Sequence, residues 1–270
     1  MATGMEALVQ VPLRKRPRAL LVDAADRIPN SVRWTAGVTL RPWGCGGFVP
    51  TDADYCDFDA DELDDYFDVG EFATFEAFEV YNTERCSARV NDIIDLNSRL
   101  ETKWSVMISE QVAARLNVEM AARATTVTTG AVNTGIALAN AEEALALSLH
   151  GGQGFIHMSP AALTMFVGKL EYRDGNWETP SGHIVIADAG HVGIPPEGEN
   201  AQSGTEWIYT SGAVLYGLSD TRLPTRAAEY LNRENNAITA RIIGSSVVAF
   251  DPCSVSAIEY GYPDYEGSGS

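Results

Sequence analysis

Residues 85–123 read RCSARVNDIIDLNSRLETKWSVMISEQVAARLNVEMAAR, without a glycine or a proline; Gly70 and Gly130 are the nearest glycines on either side. Apolar residues recur at helical spacing: Ile93, Leu96, Leu100, Trp104 and Met107, then Ala114 and Val118. Between them stand Arg89, Asp95, Arg99, Glu101, Glu110, Arg115 and Glu119, which suits a solvated or interface face. At 1.5 Å per residue a single helix over this stretch is roughly 50 Å long. A compact domain of 270 residues has no room for it inside. The pattern therefore predicts a strut with smaller elements packed along it. The alternative is two ordinary helices broken near Lys103 or Ser105.

Outward from the strut, charge is placed unevenly. Residues 1–41 hold seven basic groups (Arg14, Lys15, Arg16, Arg18, Arg27, Arg33, Arg41) against three acidic ones, whereas 42–84 hold thirteen acidic groups and no basic one. The whole chain is at −18. A free-standing nucleic-acid binder needs net positive faces for phosphate, so this balance argues against that class. A basic arm beside an acidic loop suits head-to-tail contact between copies; a frayed basic tail and a solvated acidic loop are the plainer reading. A hydrophobic content of 45% is enough for a real core. The basic cluster at the start follows the apolar residues instead of preceding them, unlike a secretory leader, and no apolar run approaches a membrane span. Cys45, Cys56, Cys86 and Cys253 have no metal spacing, and there is no N-x-S/T sequon. These features predict a soluble, intracellular protein with reduced thiols.

In chain order, residues 1–29 read as an extended arm with an apolar patch at 19–22. The span 31–49 reads as an irregular strand ending in a glycine-rich turn. After the acidic run, 72–81 (FATFEAFEVY) alternates like a half-buried strand. Strand, acidic tip and returning strand make a long two-stranded excursion before the strut. Beyond it, 125–129 predicts a short strand, and Asn133 caps a helix that ends at His150-Gly151-Gly152. A strand over 155–158 leads into a helix opened by Ser159-Pro160. Arg173-Asp174-Gly175-Asn176 is a hairpin turn, and 183–187, 207–209 and 213–218 predict strands around a polar loop at 193–204. Closing strands are expected at 235–243, 246–250 and 255–258. The tail from Tyr260 is expected to be disordered.

No constellation of catalytic residues stands out. Asp57, Asp59, Asp61, Asp65 and Asp68 fall on calcium-loop positions, but Glu62 stands where the loop needs glycine and Asp68 where it needs a bidentate glutamate. A solvated acidic tip is the preferred reading. His150, His157, His183 and His191 show no zinc spacing and read as satisfied loop and strand histidines. The Gly151–Gly154 run lacks the Lys-Ser/Thr of a phosphate loop and follows a helix, so it reads as a hinge. Ser159, in HMSPA, is not in a nucleophile elbow. No cofactor is expected.

Taken together, GVTLRPWGCGGF, FATFEAFEVYNTERCSA, FIHMSPAALTMF, TPSGHIVIADAGHVG, WIYTSGAV and ITARIIGSSVVAFDPCSVSAI, in this order, resemble the major capsid proteins of tailed bacteriophages. The resemblance is to the Hong Kong 97 type of shell fold, and the most characteristic pieces look like those of short capsid-like proteins in actinobacterial phages. The resemblance covers nearly the whole chain and implies an α+β fold. Its expected parts are an N-terminal arm (1–29), an extended loop with its return strand (30–84), a spine helix of a peripheral domain (85–129) and an axial domain (130–234). Closing strands of the peripheral domain (235–260) and a disordered tail (261–270) complete it. It implies self-association into pentamers and hexamers of an icosahedral virion shell, assembled in a host cytoplasm. That shell encloses DNA without sequence-specific contacts, has no membrane partner, and draws on scaffold, portal or cement proteins. Arg14, Lys15, Arg16, Arg18, Trp43 and Phe48 are the candidate intersubunit contacts. Some family members cross-link through a lysine of the extended loop. This chain has only Lys15, Lys103 and Lys169, so a non-covalent shell is implied. An encapsulin-like cargo compartment, and an unrelated α/β enzyme or calcium-binding module, are the alternatives.

Overall fold

The computed structural model describes residues 20–29, 34–40, 73–87, 92–221, 231–232 and 237–262. The strut is one unbroken helix. After a single helical turn, α1 (Leu21–Ala24), and strands β1 (Asp26–Arg27), β2 (Val38–Leu40), β3 (Ala73–Phe75) and β4 (Phe78–Ser87), helix α2 runs over Asp92–Ala121. Its 30 residues span about 45 Å. It starts later than its glycine-free sequence suggested, because 85–87 extend strand β4 along a partner strand instead of coiling.

The buried stripe also differs from the expected one. Leu100, Trp104, Ile108, Val112, Leu116 and Met120 are buried, while Ala114 and Val118, expected inside, face out. A repeat of four residues overshoots a 3.6-residue turn by about 40° at each step. The covered face therefore winds around the helix as its neighbours change. Along its course α2 meets β4 and a long strand, β13 (Ala237–Phe250), and also α1.

After the helix come β5 (Thr125–Thr126), α3 (Thr134–Leu149), β6 (Phe155–Met158), α4 (Pro160–Phe166), β7 (Glu171–Arg173), β8 (Asn176–Glu178) and β9 (Ile184–Ala187). Then follow β10 (Thr205–Ser211), β11 (Val214–Leu218), β12 (Leu231–Asn232), β13 (Ala237–Phe250) and β14 (Ser256–Gly261). Local chemistry sets most boundaries. The Asn133 side chain accepts from Gly135 N and Ile136 N, both at 3.0 Å, and His150 ends α3 in the left-handed region at φ 50°. Ser159 accepts from Ala162 N, with Pro160 opening α4. Asp174 and Gly175 both take positive φ, the mirror-image turn that the hairpin β7–β8 needs.

Two sheets carry the fold. A five-stranded sheet places β11 beside β1 and β13, with β12 and β4 also on β13. A seven-stranded sheet runs β5-β14-β10-β6-β9-β8-β7, and β2–β3 form a separate ribbon. The third closing strand is β14, while the first two, expected at 235–243 and 246–250, are one continuous strand of 14 residues. Gly244 does not break it: a Cβ there would lie 3.1 Å from the Trp104 ring, so the glycine seats the indole against the sheet. The tail is ordered further than expected, since Tyr260 is fully buried and Gly261 belongs to β14. Cys253 is disulfide-bonded, which corrects the expectation of reduced thiols. None of the described helices is long and apolar enough to cross a membrane.

Candidate assembly interface

The candidate contacts Arg14, Lys15, Arg16, Arg18, Trp43 and Phe48, and the acidic positions Asp57, Asp59, Asp61, Asp65 and Asp68, lie outside the described residues. The anchors on which those two segments are mounted are described.

The arm's anchor begins at Leu20 and Leu21, both buried although the sequence read as an extended arm up to residue 29. Two main-chain amides at the start of α1 are capped from far along the chain. Leu21 N donates to Asp188 Oδ2 at 3.2 Å, and Val22 N donates to Ser109 Oγ at 3.3 Å. Ser109 Oγ in turn donates to Asp188 Oδ2, and Gly190 N donates to Asp188 Oδ1. One buried carboxylate thus joins α1, the middle of α2 and the turn after β9. Beyond α1, β1 lies parallel to β11 with Asp26 opposite Leu215, and Ile28 N donates to Tyr216 O at 2.7 Å. Arg27 Nη2 donates to Leu218 O.

The loop's anchor is the β2–β3 ribbon, Val38–Leu40 against Ala73–Phe75, with the Thr39 and Thr74 hydroxyls 3.3 Å apart. Phe75 is buried edge-on against Phe250, ring centroids 4.9 Å apart. The Arg123 guanidinium stands 4.8 Å from the Phe75 centroid, and that arginine pairs with Glu119. Gly37, at φ 114°, lets the chain pass directly under the Phe75 carbonyl, where a Cβ would meet the oxygen at 2.8 Å. The intervening residues 41–72 therefore start and end on a fixed base. Return strand β4 continues from it along α2. Gln111 holds that strand by accepting from Tyr81 N and donating to Tyr81 O, and Glu84 faces Lys103 and Arg99.

Among the described residues, no group of three or more His, Cys, Asp or Glu side chains is placed to hold a metal. The expectation of four satisfied histidines needs correction. His183 accepts from Gly154 N, but neither ring nitrogen of buried His191 has a hydrogen-bond partner, nor does Nδ1 of His157. Of the Gly151–Gly154 run, read as a hinge, residues 151–153 are exposed and Gly154 alone is packed. A Cβ at Gly154 would overlap Leu145, Leu149 and the Ser211 carbonyl. Sequence reading missed the Asp188 latch altogether. Its members are separated by 79 and 167 positions, so no local spacing could reveal them.

Long helix, crossing β4–β13 strands and a mixed sheet with flanking helices define the Hong Kong 97-type capsid fold, in the α+β class. The solved structures similar to this chain bear the same architecture nearly end to end. A structure from Mycobacterium phage Che8 is 10% identical and superposes with a TM-score of 0.55, covering 95% of this chain and 97% of its own. The capsid of an empty GTA particle, at 15% identity and TM-score 0.53, covers 96% of each chain. The holo-SrpI encapsulin complex from Synechococcus elongatus PCC 7942, at 14% identity and TM-score 0.56, covers 98% of this chain and 96% of its own. No family model matches the chain, and no curated protein matches its sequence.

Proposed function

We propose that this chain is the repeating subunit of a closed icosahedral shell: the major capsid protein of a tailed bacteriophage, enclosing packaged double-stranded DNA in the virion. The observation that carries the reading is structural likeness to proteins of phage and GTA particles over 95% or more of this chain and of theirs. The role is structural, not catalytic. Residues 30–84 then reach over a neighbouring subunit. Residues 72–81, 85–123 and 235–260 form the peripheral domain, 130–234 the axial domain around five- and sixfold axes, and 1–29 an arm. The partners are further copies of the chain, with scaffold, portal or cement proteins during assembly in the host cytoplasm. Interfaces of this kind bury on the order of several thousand Å². A projecting loop and arm on rigid anchors suit closed symmetry, where each has a neighbour to lie against.

Purified protein is expected to elute as capsomers or shells and to give closed particles in negative stain. A folded, stable monomer at tens of micromolar concentration would overturn the reading. A cellular compartment is the second reading, supported by the match to the SrpI encapsulin. Particles that package DNA in the native host select the first, and particles that hold only protein cargo select the second.

The contact assigned to the arm follows from charge. Arg14, Lys15, Arg16 and Arg18 lie against acidic surface of an adjacent subunit, from its loop or elsewhere. Exposed pairs contribute about 0–1 kcal/mol each, multiplied by the number of copies. Replacing all four with alanine is expected to spare the subunit fold and impair assembly, and deleting 50–70 to do so more severely. Normal shells from both variants, with unchanged salt tolerance, would return both segments to solvated ends.

A further inference from the structure

Two imidazoles are packed together where the seven-stranded sheet meets the turn that follows β9. His157 on β6 is 1% exposed and His191 in the turn is 2% exposed. Their ring centroids are 5.1 Å apart, with the planes inclined by 53°. His157 Nε2 lies 2.7 Å from Ser211 Oγ on β10, and that hydroxyl donates onward to Gly212 O. Ser211 therefore accepts from His157 Nε2–H, leaving the lone pair on Nδ1, which has no partner. Both ring nitrogens of His191 are without one.

Two buried carboxylates border the turn, Asp188 within it and Glu206 of β10, whose side chain fills the space over Gly193, and neither is hydrogen-bonded to either imidazole. In the strand register His157 stands opposite Tyr209 of β10 and Ile186 of β9. The Tyr209 hydroxyl is turned away and donates to Ile194 O at 2.5 Å; burial pushes its pKa upward. Asp188, in the same turn as His191, gives its carboxylate to Leu21 N, Ser109 and Gly190 N. From α2 it is Glu110 that comes near, but with its backbone: a Cβ on Gly190 would overlap the Glu110 carbonyl, and the Glu110 side chain is exposed. The pair thus sits where β6, β10 and the 188–194 turn meet, with no hydrogen bond or ion pair that would hold either ring in its charged form.

We propose that this pair is an acid-released joint, which on mild acidification frees the 188–194 turn from strands β6 and β10 and from helix α2 while the five-stranded sheet stays paired. Burial lowers the pKa of both histidines, His191 to about 3, and His157 is lowered further by the His191 beside it. In an opened turn each returns toward the ordinary value of about 6.5. A lowered histidine contributes stability in full above that value and loses it as pH falls toward the closed-state pKa. Opening should become roughly tenfold more favourable per pH unit for each histidine released to water. The joint is a property of the folded subunit and stands whether or not the shell reading holds.

The test is hydrogen exchange by mass spectrometry on the full-length protein from pH 7.5 to 5, corrected for the intrinsic pH dependence of exchange. Protection of peptides covering 186–194 should fall by about ten- to a hundredfold per pH unit below about 6.5, while peptides covering 239–250 hold. Equal pH profiles in the two segments, or a flat profile in 186–194, would overturn the proposal. His191→Phe keeps a ring where no nitrogen is bonded, and His157→Gln can keep a donor toward Ser211. Either should remove about half of the slope, and an unchanged slope in a folded variant would also overturn it. If neither variant folds, the wild-type comparison of the two segments decides alone.

Discussion

Helix α2 and the sheet strands it crosses bury hydrocarbon and keep their charges at the rim. The seven-stranded sheet carries charge-bearing groups into its centre. On the helix, Leu100, Trp104, Ile108, Val112, Leu116 and Met120 face inward, while Arg115 and Arg123 reach Glu119 and Glu84 meets Arg99 and Lys103 at partly exposed positions. In the sheet, Glu206 and Glu259 are buried on neighbouring strands, and each carboxylate has specific donors. Tyr260 and Tyr262 give their hydroxyls to Glu206 Oε2 at 2.8 and 3.1 Å, and Thr205 gives its own to Glu259 Oε1 at 2.7 Å. A rim charge needs little, because water solvates it whether or not a partner is near. A buried one is tolerable only with its hydrogen bonds made. The difference teaches where each kind of perturbation should act: volume in the helical half, hydrogen bonding and pH in the sheet, salt at the rim.

The largest effect is expected from volume. Leu116 is fully buried and Val118, two residues on, is 53% exposed. Leu116→Ala should cost about 2–5 kcal/mol, through lost burial plus the cavity left behind. Val118→Ala should stay within about 0.5 kcal/mol. Urea unfolding of both variants under matched assembly conditions checks the contrast. Similar midpoints would break the assignment of the helix faces.

That pair also locates what the sequence could and could not disclose. The helix, both side-chain N-caps, the Asp174-Gly175 turn and the order of the strands rest on residues within a few positions of each other, so periodicity and turn chemistry reveal them. The face that α2 covers depends on which elements lie along it, and those are remote in sequence. Hence Val118, apolar and well spaced, was expected inside. The strand was expected in two pieces, 235–243 and 246–250, because nothing local says that Trp104 fills the space above Gly244. The latch of Asp188, Ser109 and Leu21, and the histidine pair, are assembled by topology alone. The candidate contacts at 14–18, 43 and 48 were legible only as charge and composition.

Next in size is the carboxylate of the sheet. Glu206 lies between β14 and the 193 turn, where Gly193 has no room for a Cβ because the Glu206 side chain occupies it. Tyr260→Phe removes one of two tyrosine donors while leaving the ring edge-on to Phe166, 5.2 Å away. Loss of that bond should cost about 1–3 kcal/mol, since the acceptor is charged and buried. Tyr262→Phe removes the longer, more exposed bond and should cost less. Thermal or urea unfolding of the two variants ranks them, and an equal, negligible cost for both would mean that Glu206 is solvated through some other route.

The smallest effect sharpens the comparison most. Glu84 is positioned by β4 between Lys103 and Arg99 of α2, with its side chain 17% exposed and the two cations 41% and 33% exposed. Partly exposed cations keep much of their hydration, so the attraction is weakened by water and by the side-chain entropy of the long lysine. Glu84→Gln should therefore cost no more than about 1 kcal/mol. The penalty should shrink further near 1 M salt, where screening acts over about 3 Å. Tyr260→Phe should keep its full cost at the same salt, because its hydrogen bond is buried away from counterions. Measuring both variants at low and high salt separates the two halves directly. A Glu84 penalty that persists in high salt would place that ion pair among the buried groups, and the distinction between a charged rim and a charged interior would fail at that position.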